Sequence, residues 1–374
     1  MPDLESLYAQ HAYGKLSKVR FALQQTYDSR ITLFATGTWD EKENNTLTLW
    51  KSEETPISLR NLVPPYENKI IAKIAHKGDV RDMQFIGDNL LLTSSSKGCI
   101  HVFNCIKFER DEAERETERE TDFDIEMHVD DAYKIHPIIT HYLHSFSENK
   151  SAAATGMAIK PFSTQDLEIA SVGEDGKLVL FKVTDQNHRQ IIDDADASGL
   201  RAVSWPLSDQ IITAGSSGQL RLFDCRNSNK PCAKFYDPAH PRDSLNCLKV
   251  NSSQAHQIVS GSSQGFVTIW DTRNLSKPEK QTHPHKNNVY ELIFHPYRAG
   301  ILLSCSEDGT IGIMDFNPHA ENLRHHGTLR DSILIRKLGS GFNNLAINSI
   351  DYNPVARLLI GGSDNQNLLS KELE

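Results

Sequence analysis

Four histidines lie close together in the first half of the chain, His128, His136, His141 and His144, and imidazole is a common metal ligand. A zinc site needs ligands that converge at tight spacing, commonly with Cys or a carboxylate, and no cysteine lies between Cys105 and Cys225. These four, and His325-His326 farther on, are read as unligated surface residues. Gly173-Glu174-Asp175-Gly176 has the small residues of a phosphate-cradling loop, but such loops open a helix. Strand patterns on both sides make it a turn instead. Asp175 and Asp308 are carboxylates at equivalent places in two copies of one repeat, which sets them too far apart for a general acid and base. No G-x-S-x-G, H-E-x-x-H or Walker sequence is present. No catalytic residue, cofactor-binding residue or metal ligand is assigned, and the expectation is a protein without enzymatic activity, cofactor or small-molecule substrate.

The elements that carry these residues repeat. An apolar pair, a small polar residue, a Gly- or Ser-rich turn and an alternating apolar run occur at Leu91 to Phe103, Ile169 to Phe181, Ile211 to Asp224, Ile258 to Asp271 and Leu302 to Asp315. In each copy a glycine stands five positions before a large residue: Gly98/Phe103, Gly176/Phe181, Gly218/Phe223, Gly265/Trp270 and Gly309/Met314. A glycine supplies the positive φ of a tight turn, and the alternation after it marks a strand with one buried face. Most intervals between these glycines match the ~40–45 residues of a four-stranded propeller blade. Weaker copies begin at Leu33 and Leu358, and inner-strand patterns lie at Lys18 to Phe21, Val80 to Phe85, Leu200 to Trp205, Leu245 to Val250, Val289 to Phe294 and Ile347 to Tyr352. Seven blades in one all-β domain, residues 1–374, follow from the count.

These motifs resemble the WD40 β-propeller family. Trp270-Asp271 is the one WD pair at the end of a third strand; Phe223-Asp224 and Met314-Asp315 substitute for it, and Trp39-Asp40 is displaced into a hairpin loop. His76 and His285 stand just before inner strands, where the family's histidine belongs. No blade is expected to hold the full His, Asp, Ser/Thr and Trp hydrogen-bonding set. A ring of blades must close to avoid an open edge, and the stretch Glu5 to His11 is expected to supply the last strand.

The chain has 49 acidic and 40 basic side chains, a net charge of −9. Residues 109–131 alone hold 12 Asp and Glu against 3 Arg, so the rest is balanced. This block lies in an insertion expected at about 104–154, read as a disordered, solvated loop, and a second long connection is expected at about 317–346. With no basic cluster, direct nucleic-acid binding is not expected. The start lacks a secretory pattern and no apolar run approaches the ~20 residues that span a bilayer. The six cysteines include no CxxC pair, so a soluble intracellular protein without disulfides or membrane insertion is expected.

A narrower resemblance rests on Phe34-Ala35-Thr36-Gly37-Thr38-Trp39-Asp40 with Leu47 to Trp50, on His76 to Phe85, and on Val172 to Gly176. Ile192 to Ala197, Val289 to Pro296 and Cys305 to Gly309 add to it. Together these are similar to the 43-kDa WD-repeat nucleoporin subfamily of the Y-shaped outer-ring complex of the nuclear pore. The resemblance implies a structural subunit at the nuclear envelope that docks on an α-helical scaffold nucleoporin and other outer-ring subunits. It also implies support of pore assembly, mRNA export and protein import, and a mitotic role at kinetochores. The chain contains no Phe-Gly dipeptide, which fits a scaffold rather than a barrier-forming nucleoporin. The alternative is a WD40 adaptor or substrate receptor of a ubiquitin ligase or chromatin complex. No partner-binding residue is assigned.

Overall fold

In the computed structural model, the described residues are 5–22, 31–40, 45–55, 64–87, 89–107, 133–161, 167–185, 189–226, 230–298, 300–316, 333–339 and 345–373. Six sheets run in sequence order from an innermost to an outermost strand, and a seventh draws its outermost strand from the N-terminus. The innermost strands are Leu16–Phe21, Val80–Ile86, Ala154–Ile159, Leu200–Leu207, Leu245–Asn251, Val289–Phe294 and Ile347–Asn353, which define blades 1 to 7. Blades pack face to face through separate apolar layers, as between blades 7 and 1, where Phe21, Phe34 and Trp50 meet Leu358, Ile360 and Leu368. Each strand's alternation thus serves two layers, one on either side of its blade.

The repeat motif is the second and third strand of each blade with the turn between them. All five motif glycines have positive φ, from 72° at Gly218 to 89° at Gly265. In blade 7 the same place is taken by Gln366, at φ 56°. At Gly176 a Cβ would stand 2.2 Å from the Asp196 carbonyl oxygen, so the glycine answers both to backbone shape and to a neighbouring loop.

The ring closes at blade 7. Tyr8–His11 pairs antiparallel with Asn367–Glu372, and Ala12 N–H donates to the Gln366 carbonyl at 2.7 Å. Glu5 and Ser6 do not join this blade as expected; they run parallel to Leu338 and Gly339 on the outer strand of blade 6. Leu7, buried between the two pairings, turns the chain from one blade to the next and packs in the layer of Leu338 and Leu373. The N-terminus is therefore a clasp over two blades.

The stretch expected as an insertion is narrower than the sequence pattern suggests. Residues 104–107 end a third strand, Cys99–Lys107, and Tyr133–Tyr142 pairs with it as the outer strand of blade 2. Exposed polar residues and a register shift between Pro137 and Ile139 hide this strand from an alternation search. A small hairpin, Ser145–Ser147 with Lys150–Ser151, then precedes blade 3. The acidic residues 109–131 and most of the 317–346 connection lie outside the described residues.

Candidate functional site

The innermost strands enclose a channel with a cavity of about 830 Å³. Inner strands have one edge that no strand of their own blade covers, and their N–H groups need partners. Polar side chains from the preceding blade supply them. Asp82 of blade 2 accepts from Met157 N–H of blade 3 at 3.1 Å, Glu291 of blade 6 from Ile350 N–H of blade 7 at 3.2 Å, and Asp351 of blade 7 from Phe21 N–H of blade 1 at 2.7 Å. Ser349 Oγ accepts from Val19 N–H at 3.1 Å and donates to Glu291 Oε2 at 2.6 Å. These contacts staple blade 2 to blade 3, blade 6 to blade 7 and blade 7 to blade 1.

Arg20 sits among the carboxylates. Its guanidinium donates to both Glu291 oxygens, to Ser349 Oγ at 3.1 Å and to Asp82 Oδ1 at 3.4 Å, and Lys18 Nζ lies 3.7 Å from Glu291. The Arg20 and Glu291 side chains are only 11% and 5% exposed. Burial opposes the charge on Arg20, but Glu291, Asp82 and Asp351 outweigh it and hold its pKa above the ordinary guanidinium value. Burial likewise pushes the Glu291 carboxyl up, and Arg20 and Lys18 more than offset this, leaving it well below the usual carboxylate range. At Asp351 burial prevails and the pKa is raised.

Such a convergent polar cluster is what a propeller hydrolase would place in its channel. Its chemistry here points elsewhere. A glutamate held as a carboxylate by Arg20 and Lys18 is a weak general base, and Ser349 donates to that carboxylate with no histidine among its partners. The arrangement neutralises itself and satisfies backbone.

The histidines resolve differently from their reading as surface groups. His136 is exposed, but His141 and His144 are buried; His128, His325 and His326 lie outside the described residues. His144 bonds Ser171 Oγ through Nε2 and Asp175 Oδ1 through Nδ1, both at 2.9 Å. His285 repeats this in blade 6 with Ser304 Oγ at 2.7 Å and Asp308 Oδ1 at 3.3 Å. His76 reaches Thr93 Oγ1 at 2.8 Å, but Lys97 occupies the aspartate's place before Gly98. Asp175 and Asp308 are thus structural partners of histidines, and burial, which pushes their carboxyls up, is outweighed by the histidine bonds, so both titrate below the ordinary value. The tryptophan half of the set stands in other blades, with Trp50 Nε1 donating to Thr36 Oγ1 at 2.8 Å and Trp270 Nε1 to Ser260 Oγ at 2.9 Å. No described blade joins the two halves. His144 was hidden because the 145–151 hairpin moves it ten residues ahead of Ala154, whereas His76 and His285 stand four residues before their inner strands.

The displaced Trp39-Asp40 pair also has a structural place. Trp39 Nε1 donates to Asp364 Oδ1 at 3.0 Å, and Asn348 Nδ2 donates to the same oxygen at 2.7 Å, tying blade 1 to blade 7 at the channel rim. Among the described residues no three His, Cys, Asp or Glu side chains converge as a metal-ligand set. All six cysteines are free thiols.

Comparison with known proteins agrees with this architecture. The family model "WD domain, G-beta repeat" matches residues 230–271 and 276–315. Each match runs from the outer strand of one blade through the third strand of the next, covering the Trp270 and the His285–Asp308 repeats. Over 342 residues the chain is 28% identical to nucleoporin Nup43 of Mus musculus, covering 90% of this chain and 84% of the relative. Against nucleoporin Nup43 of Homo sapiens the identity is 28% over 344 residues, covering 91% and 84%.

Proposed function

From a chain that is a seven-bladed WD40-repeat propeller and nucleoporin-like in sequence, we propose a non-enzymatic scaffold subunit of the nuclear pore complex. The observation that carries this reading is the similarity to nucleoporin Nup43 across nine-tenths of the chain. That span extends well beyond the two segments with recognisable WD40 repeats. A channel cluster spent on inter-blade contacts supports a structural role over catalysis.

In this reading the propeller docks on an α-helical scaffold nucleoporin and neighbouring subunits of the Y-shaped outer ring. It contributes to pore assembly and through it to mRNA export and protein import, with a further role at kinetochores in mitosis. Binding energy at such an interface concentrates in a few buried anchors on a rigid frame, and the stapled ring provides that frame. Fluorescent tagging of the full chain tests the assignment in cells. A continuous or punctate rim at the nuclear envelope is expected; diffuse or chromatin staining without a rim contradicts it and favours an adaptor of a ubiquitin ligase or chromatin complex.

A further inference from the structure

At the end of the ring opposite the glycine turns, the connections from first to second strand in blades 6 and 7 meet. The blade 6 turn runs His295-Pro296-Tyr297-Arg298, and His295 Nδ1 accepts from Tyr297 N–H at 3.2 Å and Arg298 N–H at 3.1 Å. An imidazole that accepts through Nδ1 in this way is neutral and carries its proton on Nε2. That second N–H has no partner among the described residues. The ring packs on Tyr352 of blade 7, with centroids 4.9 Å apart.

Tyr352 is only 7% exposed, yet its hydroxyl opens on the surface and has no partner among the described residues. Hydroxyls of buried tyrosines are seldom left so. Burial pushes this phenol's pKa up, while Arg298 and then Arg357 pull it down, and no carboxylate acts on it. Both arginines are exposed, and neither forms an ion pair with a described residue. Two other exposed arginines at this end of the ring differ, since Asp224 holds Arg226 at 3.0 Å and Asp271 holds Arg273 at 2.6 Å. Arg357 also keeps φ at 53°, a costly value for so large a side chain.

Two guanidiniums, a phenol O–H and an imidazole N–H therefore gather in one cleft, all donors. We propose that this cleft between the bases of blades 6 and 7 binds a phosphate monoester. Its three acceptor oxygens and near-double charge match several donors at once, two of them guanidiniums. A nucleic-acid backbone fits poorly, because it is followed by a stripe of cations and not by two. Tyr297 and Val355, 73% and 65% exposed on the same two turns, form an apolar rim for the group that carries the phosphate.

The test is phosphorus NMR of O-phosphoserine and of adenosine monophosphate titrated with the purified full chain. Saturable broadening of the phosphorus resonance is expected with at least one of them, and binding should weaken about tenfold or more in Arg298→Ala and in Arg357→Ala. Tyr352→Phe removes only the unpartnered hydroxyl, so it should weaken binding severalfold without lowering the denaturation midpoint. A hydroxyl of purely structural value would do the reverse. Arg226→Ala, already paired at the same end of the ring, should leave binding unchanged, and circular dichroism reports whether each variant keeps the fold. Whichever carrier binds more tightly identifies the group the apolar rim accepts. Absence of a saturable response with both, equal binding by a folded Arg298→Ala, Arg357→Ala double variant, or displacement by equimolar acetate would overturn the proposal. No pore protein enters this assay, so its outcome is separate from that of the scaffold assignment.

Discussion

Arg20 of blade 1 and Glu291 of blade 6 meet in the channel, Nη1 3.2 Å from Oε2, although the whole of blade 7 separates their blades in the ring. Glu291 also caps Ile350 N–H of that intervening blade, so one carboxylate holds three blades. Removing one partner of a buried, hydrogen-bonded pair leaves a charge without compensation, at a cost of about 3–5 kcal/mol. Arg20→Ala should therefore destabilise severely, because it strands Glu291, Asp82 and Asp351 together. The Arg20→Met, Glu291→Leu double variant should recover much of the loss. Chemical denaturation of the single and double variants measures this; a double variant as unstable as the sum of the singles would show no coupling.

Acid should destabilise the ring in two windows. His76 is buried and His101 half-buried, and loss of hydration pushes both imidazoles down, His101 to about 4. For a base with a depressed folded pKa, the unfolded chain takes up the proton first. Stability is then full above pH ~6.5 and falls as the pH drops toward 4. Asp175 and Asp308 add a second decline below about pH 4, because their depressed folded values favour the native state only while unfolded carboxylates are ionised. Thermal melts from pH 7 to 4 should show a falling midpoint, flatter in His101→Gln. A midpoint independent of pH over that range would contradict the burial of neutral imidazole.

Deleting residues 1–12 removes the strand Tyr8–His11 and the anchor Leu7, and exposes the edge of Asn367–Glu372. An uncovered edge invites intermolecular pairing. The truncated chain should aggregate or lose much of its thermal stability; a soluble monomer with an unchanged melting temperature would show that the clasp is dispensable.

Gln366 occupies in blade 7 the left-handed turn position that glycine takes in five other blades. An L-residue there costs roughly 1–2 kcal/mol in the backbone, partly offset by the greater freedom glycine brings to the unfolded chain. Gln366→Gly should raise stability by up to about 1 kcal/mol. Gly176→Ala should lower it by more than that, since its Cβ meets the Asp196 carbonyl. Denaturation midpoints of the two variants should move in opposite directions.

The turns that build the ring are legible in the sequence because glycine is the residue that tolerates their φ, so Gly98, Gly176, Gly218, Gly265 and Gly309 mark five blades directly. A break common to all seven innermost strands, whose pairing register jumps over the second residue, is legible too, in a form that simple alternation conceals. Apolar residues stand at positions one, four and six of every inner strand, as in Val80, Met83, Phe85 and in Ile347, Ile350, Tyr352. The extra residue between the first two is the bulge. His144 escaped because an inserted hairpin broke its spacing from blade 3. The Arg20–Glu291 contact escaped because 271 positions separate its partners and only ring closure brings them together.

Affinity purification of the tagged full chain from growing cells, followed by mass spectrometry, tests the scaffold assignment most directly. Recovery of an α-helical outer-ring nucleoporin with other subunits of the Y-shaped complex is the predicted result. Recovery of ubiquitin-ligase or chromatin subunits without any nucleoporin would contradict it.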